Sequence, residues 1–96
     1  MTLEEDFLQA AKRGKAERVK ELMGQGVNAL AVDEDRWTAL HHAARNGHEN
    51  VVKLFAANDA LLNAADARGR RAIDVAEGRA RAILIPVMRT KGLLKR

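Results

Sequence analysis

Shifted by thirty-three positions, the chain matches itself twice. Forward, Asp33 meets Asp66, Leu40 meets Ile73 and Ala43 meets Ala76. Backward, Leu40 meets Phe7, Ala43-Ala44 meets Ala10-Ala11, Gly47 meets Gly14 and Val52 meets Val19. A period of this size restricts a chain to stacked units, because a single unit cannot bury its own apolar face and needs a neighbour to cover it. Stacking also eases the marginal core that 96 residues would otherwise supply. With one Trp, two Phe and no Tyr, the apolar content is dominated by small and aliphatic residues. These suit close helix pairs better than a sheet sandwich.

The middle unit is the clearest. Trp37-Thr38-Ala39-Leu40-His41-His42-Ala43-Ala44-Arg45-Asn46-Gly47-His48 reads as a short helix and a stop, and Glu49-Asn50-Val51-Val52-Lys53-Leu54-Phe55 as a second helix. Thr38 stands at an N-cap, where its hydroxyl can accept from a first-turn amide. Leu40, Ala43 and Ala44 share one helical face, and Asn46-Gly47 supplies the stop, since glycine accepts positive φ. Val51, Val52, Leu54 and Phe55 form the apolar stripe of the second helix. Thr38-Ala39-Leu40-His41, followed by Ala43-Ala44, Gly47-His48 and Val51-Val52-x-Leu54, resembles an ankyrin repeat, with Ala39 in place of the usual proline.

The resemblance covers nearly the whole chain. It implies an all-α ankyrin-repeat solenoid in one domain, residues 1–96. Three helix-turn-helix repeats run over about 4–32, 33–65 and 66–96, the outer two degenerate, and two short β-hairpin fingers project between them. In repeat one, a helix from Glu4 to Arg13 buries Phe7, Leu8, Ala10 and Ala11. It has acidic residues at its start and Lys12-Arg13 at its end, as the macrodipole favours. A second helix, about Ala16 to Met23, buries Val19, Leu22 and Met23. The first finger turns at Asp33-Glu34-Asp35-Arg36, with Arg36 where the family has glycine: either Arg36 holds a strained positive φ or the finger is reshaped. Asp59 replaces the glycine that usually ends the second helix of repeat two, and Ala60-Leu61-Leu62-Asn63 is expected as loop. The second finger, Asp66-Ala67-Arg68-Gly69, keeps the full Asp-x-x-Gly turn. In repeat three a helix from about Ala72 to Glu77 stops at Gly78. A second, about Arg81 to Lys91, turns Ile83, Leu84, Val87 and Met88 inward and kinks at Pro86. Gly92-Leu93-Leu94-Lys95-Arg96 reads as a frayed tail.

Several classes of function find no support. The chain has no cysteine, so disulfides and thiolate chemistry are excluded. No apolar run approaches the roughly 20 residues of a membrane span. The acidic N-terminus, Met1-Thr2-Leu3-Glu4-Glu5-Asp6, is wrong for a secretory signal, and a cytoplasmic location, or a nuclear one, is expected. His41 and His42 are neighbours on a helix and point about 100° apart, so no metal site is expected. The resemblance instead implies that His41 bonds Thr38 and the neighbouring turn, and that His48 ties down the inter-helix turn. No catalytic triad appears. Glu34, Asp35 and Asp66 fall on fingers expected to be exposed, where no dry cavity shifts a pKa. Neither an enzyme nor a cofactor is expected.

Charge is unevenly spread. Residues 1–63 carry eight Lys/Arg against ten Asp/Glu, and residues 64–96 carry nine against three, for a total of +4. Such a basic end favours an acidic partner. By resemblance, partners bind the concave face built from fingers and first-helix ends. That face would present Lys12, Arg13, Arg45, Asn46 and Arg79 from helix ends, and Val32, Glu34, Asp35, Trp37, Ala67, Arg68 and Arg70 from fingers. Trp37 is either an anchor of the kind enriched at binding hot spots or a packing residue laid over Arg70 one repeat along. The expected function is non-enzymatic binding of another, acidic protein by a monomer or weak homodimer. Two alternatives are a binder of nucleic acid or another polyanion, drawn by Arg68, Arg70, Arg71, Arg79, Arg81, Arg89, Lys91, Lys95 and Arg96, and a self-associating scaffold unit. No small-molecule substrate and no membrane partner are expected.

Overall fold

The computed structural model describes residues 2–94. Seven helices follow in order: α1 (Leu3–Lys12), α2 (Ala16–Gly24), α3 (Ala39–Arg45), α4 (Glu49–Phe55), α5 (Asp59–Asn63), α6 (Ala72–Val75) and α7 (Gly78–Thr90). They form two stacked layers. In the first, α1 packs on α3 and α3 on α6; in the second, α2 packs on α4 and α4 on α7. The stack measures 41 × 25 × 21 Å. Its core runs unbroken along the long axis, from Phe7 and Leu22 through Leu40, Val51 and Phe55 to Leu84 and Met88. Phe7 and Phe55 meet edge-on across successive helix pairs, with centroids 5.8 Å apart.

Local chemistry starts each first-layer helix. Thr2 caps α1 through a reciprocal pair: its hydroxyl accepts from the Glu5 amide, and Glu5 Oε1 accepts from the Thr2 amide. Thr38 does the same for α3 with His41, whose Nδ1 takes the place of the carboxylate. At α6 only half of the device survives, with the Arg71 amide donating to Asp74 Oδ2. Successive units are tied by polar bonds as well as by packing. Both His48 Nε2 and Asn46 Nδ2 donate to the Lys12 carbonyl, and the Glu77 amide donates to the Ala44 carbonyl.

Several sequence expectations change. Among the described residues no strand forms, so the two fingers are tight turns rather than β-hairpins. Each has a single ladder-like bond, Asp33 N–H to Trp37 O and Asp66 N–H to Arg70 O, too few to extend into strands. Arg36 does hold a positive φ of 62°, matching Gly69 at 77°, so the first finger keeps its shape despite the arginine. Residues 59–63 are not loop: the Asn58 side chain accepts from the Leu61 amide and starts α5, which buries Leu61 and Leu62. Met23 is 41% exposed, because it lies off the α2 face that buries Val19 and Leu22. Gly78 opens α7 rather than closing α6, which ends at Val75. Helix α7 runs from Gly78 through Pro86 to Thr90 as one helix, with Pro86 on its exposed side. Leu93 and Leu94 are not frayed: they pack against the core, and the Leu93 carbonyl accepts from the Arg71 guanidinium at 2.7 Å. Lys95 and Arg96 lie outside the described residues.

Candidate functional site

The two fingers are copies of one device. In the first, Asp33 Oδ1 accepts from the amides of Asp35 and Trp37 at 2.9 and 3.0 Å. In the second, Asp66 Oδ1 accepts from the amides of Arg68 and Arg70, both at 2.8 Å. Each carboxylate thereby folds its own turn. The second oxygens differ. Asp33 Oδ2 bonds His42 Nε2 at 2.7 Å. Asp66 Oδ2 reaches across the repeat boundary to accept from the Trp37 indole at 2.9 Å, and from Arg70 Nε at 3.0 Å. The Ala67 amide donates to the Asp35 carbonyl, a second link between the turns.

Asp66 is therefore not the exposed carboxylate that its place on a finger suggested; it is 6% exposed. Burial pushes its carboxyl up, but the Arg70 and Arg68 amides, the Trp37 indole and the Arg70 guanidinium outweigh burial and hold it well below the ordinary carboxylate range. Asp33 follows the same pattern more weakly. Burial raises it, and the Trp37 amide, His42 and the Asp35 amide bring it below its ordinary value.

Trp37 is half-buried at the centre of this network. Its ring stacks on His41 at 5.6 Å, tilts against His42 at 5.1 Å and lies under the Arg70 guanidinium at 5.9 Å. His41 itself is fully buried and wedged between Thr38 and the Arg70 carbonyl, 2.8 Å from Nε2. A carbonyl only accepts, so Nε2 carries the proton and Nδ1 is left to accept from the Thr38 amide. That assignment is the neutral imidazole, in keeping with burial, which lowers the His41 pKa below its ordinary 6.5.

Three shallow clefts run along this face. One, of about 360 Å³, lies between α1 and the first finger and is lined by Glu5, Leu8, Lys12, Val32, Glu34 and His42 among others. A second, of about 240 Å³, lies between the fingers and brings together Asp35, Trp37, Ala67, Arg68 and Arg70. The third, also about 240 Å³, continues from Trp37 to Arg45, Arg70 and Glu77. Of the residues the sequence singled out, Lys12, Val32, Glu34, Asp35, Trp37, Arg45, Ala67, Arg68 and Arg70 thus line these clefts, the second and third of which meet at Trp37 and Arg70. Arg13 and Arg79 are exposed but line none of these clefts. The Asn46 side chain is engaged internally on Lys12, and Arg45 pairs with Glu77. Glu34, Arg68 and Arg79 make no side-chain bond among the described residues. Leu8, Gln9 and His42 were not singled out as site residues; their helical spacing from Glu5 and Lys12, and from Thr38, places them on the same face. Among the described residues no cluster of metal-ligating side chains occurs, and no helix is long and apolar enough to cross a membrane.

The family described as ankyrin repeats, in three copies, matches residues 7–85. This chain belongs to the ankyrin-repeat family. Such repeats generally mediate protein–protein interaction. Similar stretches occur in the human ankyrin repeat and SAM domain-containing protein 1A, 51% identical over 41 residues, which are 43% of this chain and 4% of that protein. The 26S proteasome non-ATPase regulatory subunit 10 of Dictyostelium discoideum is 43% identical over 58 residues, 59% of this chain and 25% of that protein. Alpha-latroinsectotoxin-Lt1a of Latrodectus tredecimguttatus is 38% identical over 76 residues, 78% of this chain and 5% of that protein. The matched stretches thus span a quarter or less of the length of these relatives. As an ankyrin-repeat chain, it carries the Thr38–His41 box and the His48 tie that the resemblance implied, with His48 reaching back to the preceding repeat.

Proposed function

We propose that this chain is a non-enzymatic binding module that takes an acidic segment of another protein along the surface running from α1 past Trp37 to Arg45 and Arg70. The observation that carries this reading is the state of Trp37. Its indole N–H, both histidines and Arg70 fix the ring, yet it stays half-exposed between clefts on either side. A pre-oriented aromatic loses little entropy on binding, the property that makes tryptophan effective at interface centres. Arg68 and Arg79, which make no side-chain bond among the described residues, would select acidic side chains; Arg45 and Arg70 would join them while keeping Glu77 and Asp66. Lys12, Arg13, Glu34, Asp35 and Asn46 would form the rim.

Trp37 is the chain's single tryptophan, so its emission reads the site directly. Titration with a short Asp/Glu-rich peptide is expected to change that emission saturably. Arg68→Gln should weaken binding about 2–5-fold, the equivalent of roughly 0.5–1 kcal/mol for one exposed ion pair. Emission that stays constant while the peptide binds by calorimetry would place the site elsewhere. Arbitrary duplex DNA bound as tightly, with a steep salt dependence, would favour the polyanion alternative.

A further inference from the structure

The cleft between α1 and the first finger differs in charge from the rest of this surface. Its floor is apolar, from Leu8 and the 44% exposed Val32. Its walls carry Glu5, Asp33 and Glu34 against the single cation Lys12. Asp33 is already held by His42 and two amides, and Glu5 by the Thr2 cap, which leaves Glu34 as the wall carboxylate with no bond among the described residues. On the far side of Trp37, Arg68 and Arg70 stand against Asp35 and the bonded Asp66, so carboxylates no longer outnumber cations, and Arg68 makes no side-chain bond among the described residues. The surface is thus polarised along the stack, with the half-exposed indole at the divide. A uniformly acidic segment would meet repulsion at the α1 end, where like charges oppose each other.

We propose that the partner segment is charge-asymmetric: a lysine or arginine lays its aliphatic stem on Leu8 and Val32 with its cationic head at Glu34, and acidic residues follow beyond Trp37 over Arg68. This deepens the reading above and rests on it. The cleft suits such a side chain because long basic residues bury their methylenes on apolar surface while the charged head stays at a polar edge. The occupied register is then fixed, since a segment shifted by one repeat would place its cation against Arg68.

The test uses three peptides of equal length: one with a Lys-Leu block at one end and a Glu block at the other, an isomer of the same composition with the charges interspersed, and an all-acidic control. The block peptide is made in both chain directions. The better block peptide is expected to bind about 10-fold tighter than the interspersed isomer, two exposed pairs being won together. Glu34→Gln should weaken the block peptide about 2–5-fold and leave the all-acidic control unchanged or tighter, whereas Arg68→Gln weakens both. Both side chains are exposed and unbonded, so each variant is expected to keep the wild-type circular dichroism. Equal affinity of block and interspersed peptides, or indifference of the block peptide to Glu34→Gln, would overturn the polarity while leaving an acidic site intact. Indifference of every peptide to Arg68→Gln would overturn the site and the polarity with it.

Discussion

Gly14 is the position where one added methyl group should reveal how the helix pairs are tied. It stands at the turn after α1 with φ of 74°, and a Cβ built there would lie 2.6 Å from His48 Nδ1 and 2.8 Å from His48 Cγ. Gly47, one repeat on, has nearly the same φ of 71° but nothing within 4 Å of its Cβ position. The pair therefore separates backbone strain from contact. For Gly47→Ala, the left-handed backbone costs about 1–2 kcal/mol. Reduced unfolded-state freedom returns about 0.4–1 kcal/mol, so a net loss of roughly 1 kcal/mol is expected. Gly14→Ala bears the same terms and must also swing the His48 ring off the Lys12 carbonyl, forfeiting a bond worth about 0.5–1.5 kcal/mol. Urea unfolding should therefore place Gly14→Ala about 1 kcal/mol below Gly47→Ala, or about 4–8 °C lower in Tm for a domain this small. In a His48→Ala background the two alanines should cost the same. Equal losses in the wild-type background would refute the claim that His48 and Gly14 form a joint fitted across the repeat boundary.

Arg36→Gly should stabilise the chain by about 0.5–1 kcal/mol, the relief of positive φ less the entropy glycine adds to the unfolded state. The check is a higher urea midpoint with unchanged slope. Phe55→Ala should cost about 3–5 kcal/mol, because it removes a fully buried ring and its edge contact with Phe7; thermal unfolding reads it. Folding keeps His41 neutral, so the unfolded state binds the extra proton. The stability His41 contributes should be complete above pH 6.5 and lost as pH falls from there toward its folded pKa. A melting series should show that slope, and His41→Gln should remove its share. Asp33 and Asp66 are depressed, so their contribution should persist below pH 5 and fade only as acid passes the ordinary value of 3.8 toward their folded pKa values.

The helix pairs and their order were legible because the period and the caps are local signals. Thr38 caps within three residues of itself, and the stops at Gly14 and Gly47 are local turns that a shift of thirty-three superimposes. The end of α4 was legible only in part: Asp59, read as standing for its terminal glycine, instead opens α5, because Asn58 before it accepts from the Leu61 amide once Leu61-Leu62 is buried. The fingers were read as hairpins from the family pattern, but a turn with one closing bond does not make strands. The largest miss was Asp66. Its role depends on the indole of a residue twenty-nine positions earlier, a contact set by stacking geometry rather than by neighbouring sequence. The available hint was the equivalence of Trp37 with Arg70 under the repeat shift, which puts both beside the same carboxylate.

The most direct test of the binding face is amide chemical-shift mapping of the labelled chain with the block peptide. Perturbations should cluster at Leu8–Lys12, Val32–Trp37, Arg68–Arg70, Arg45 and Arg79, and spare α2, α4 and the rest of α7. Shifts confined to the α2–α4–α7 layer, with Trp37 and Arg68 unmoved, would contradict the assignment of this surface as the site.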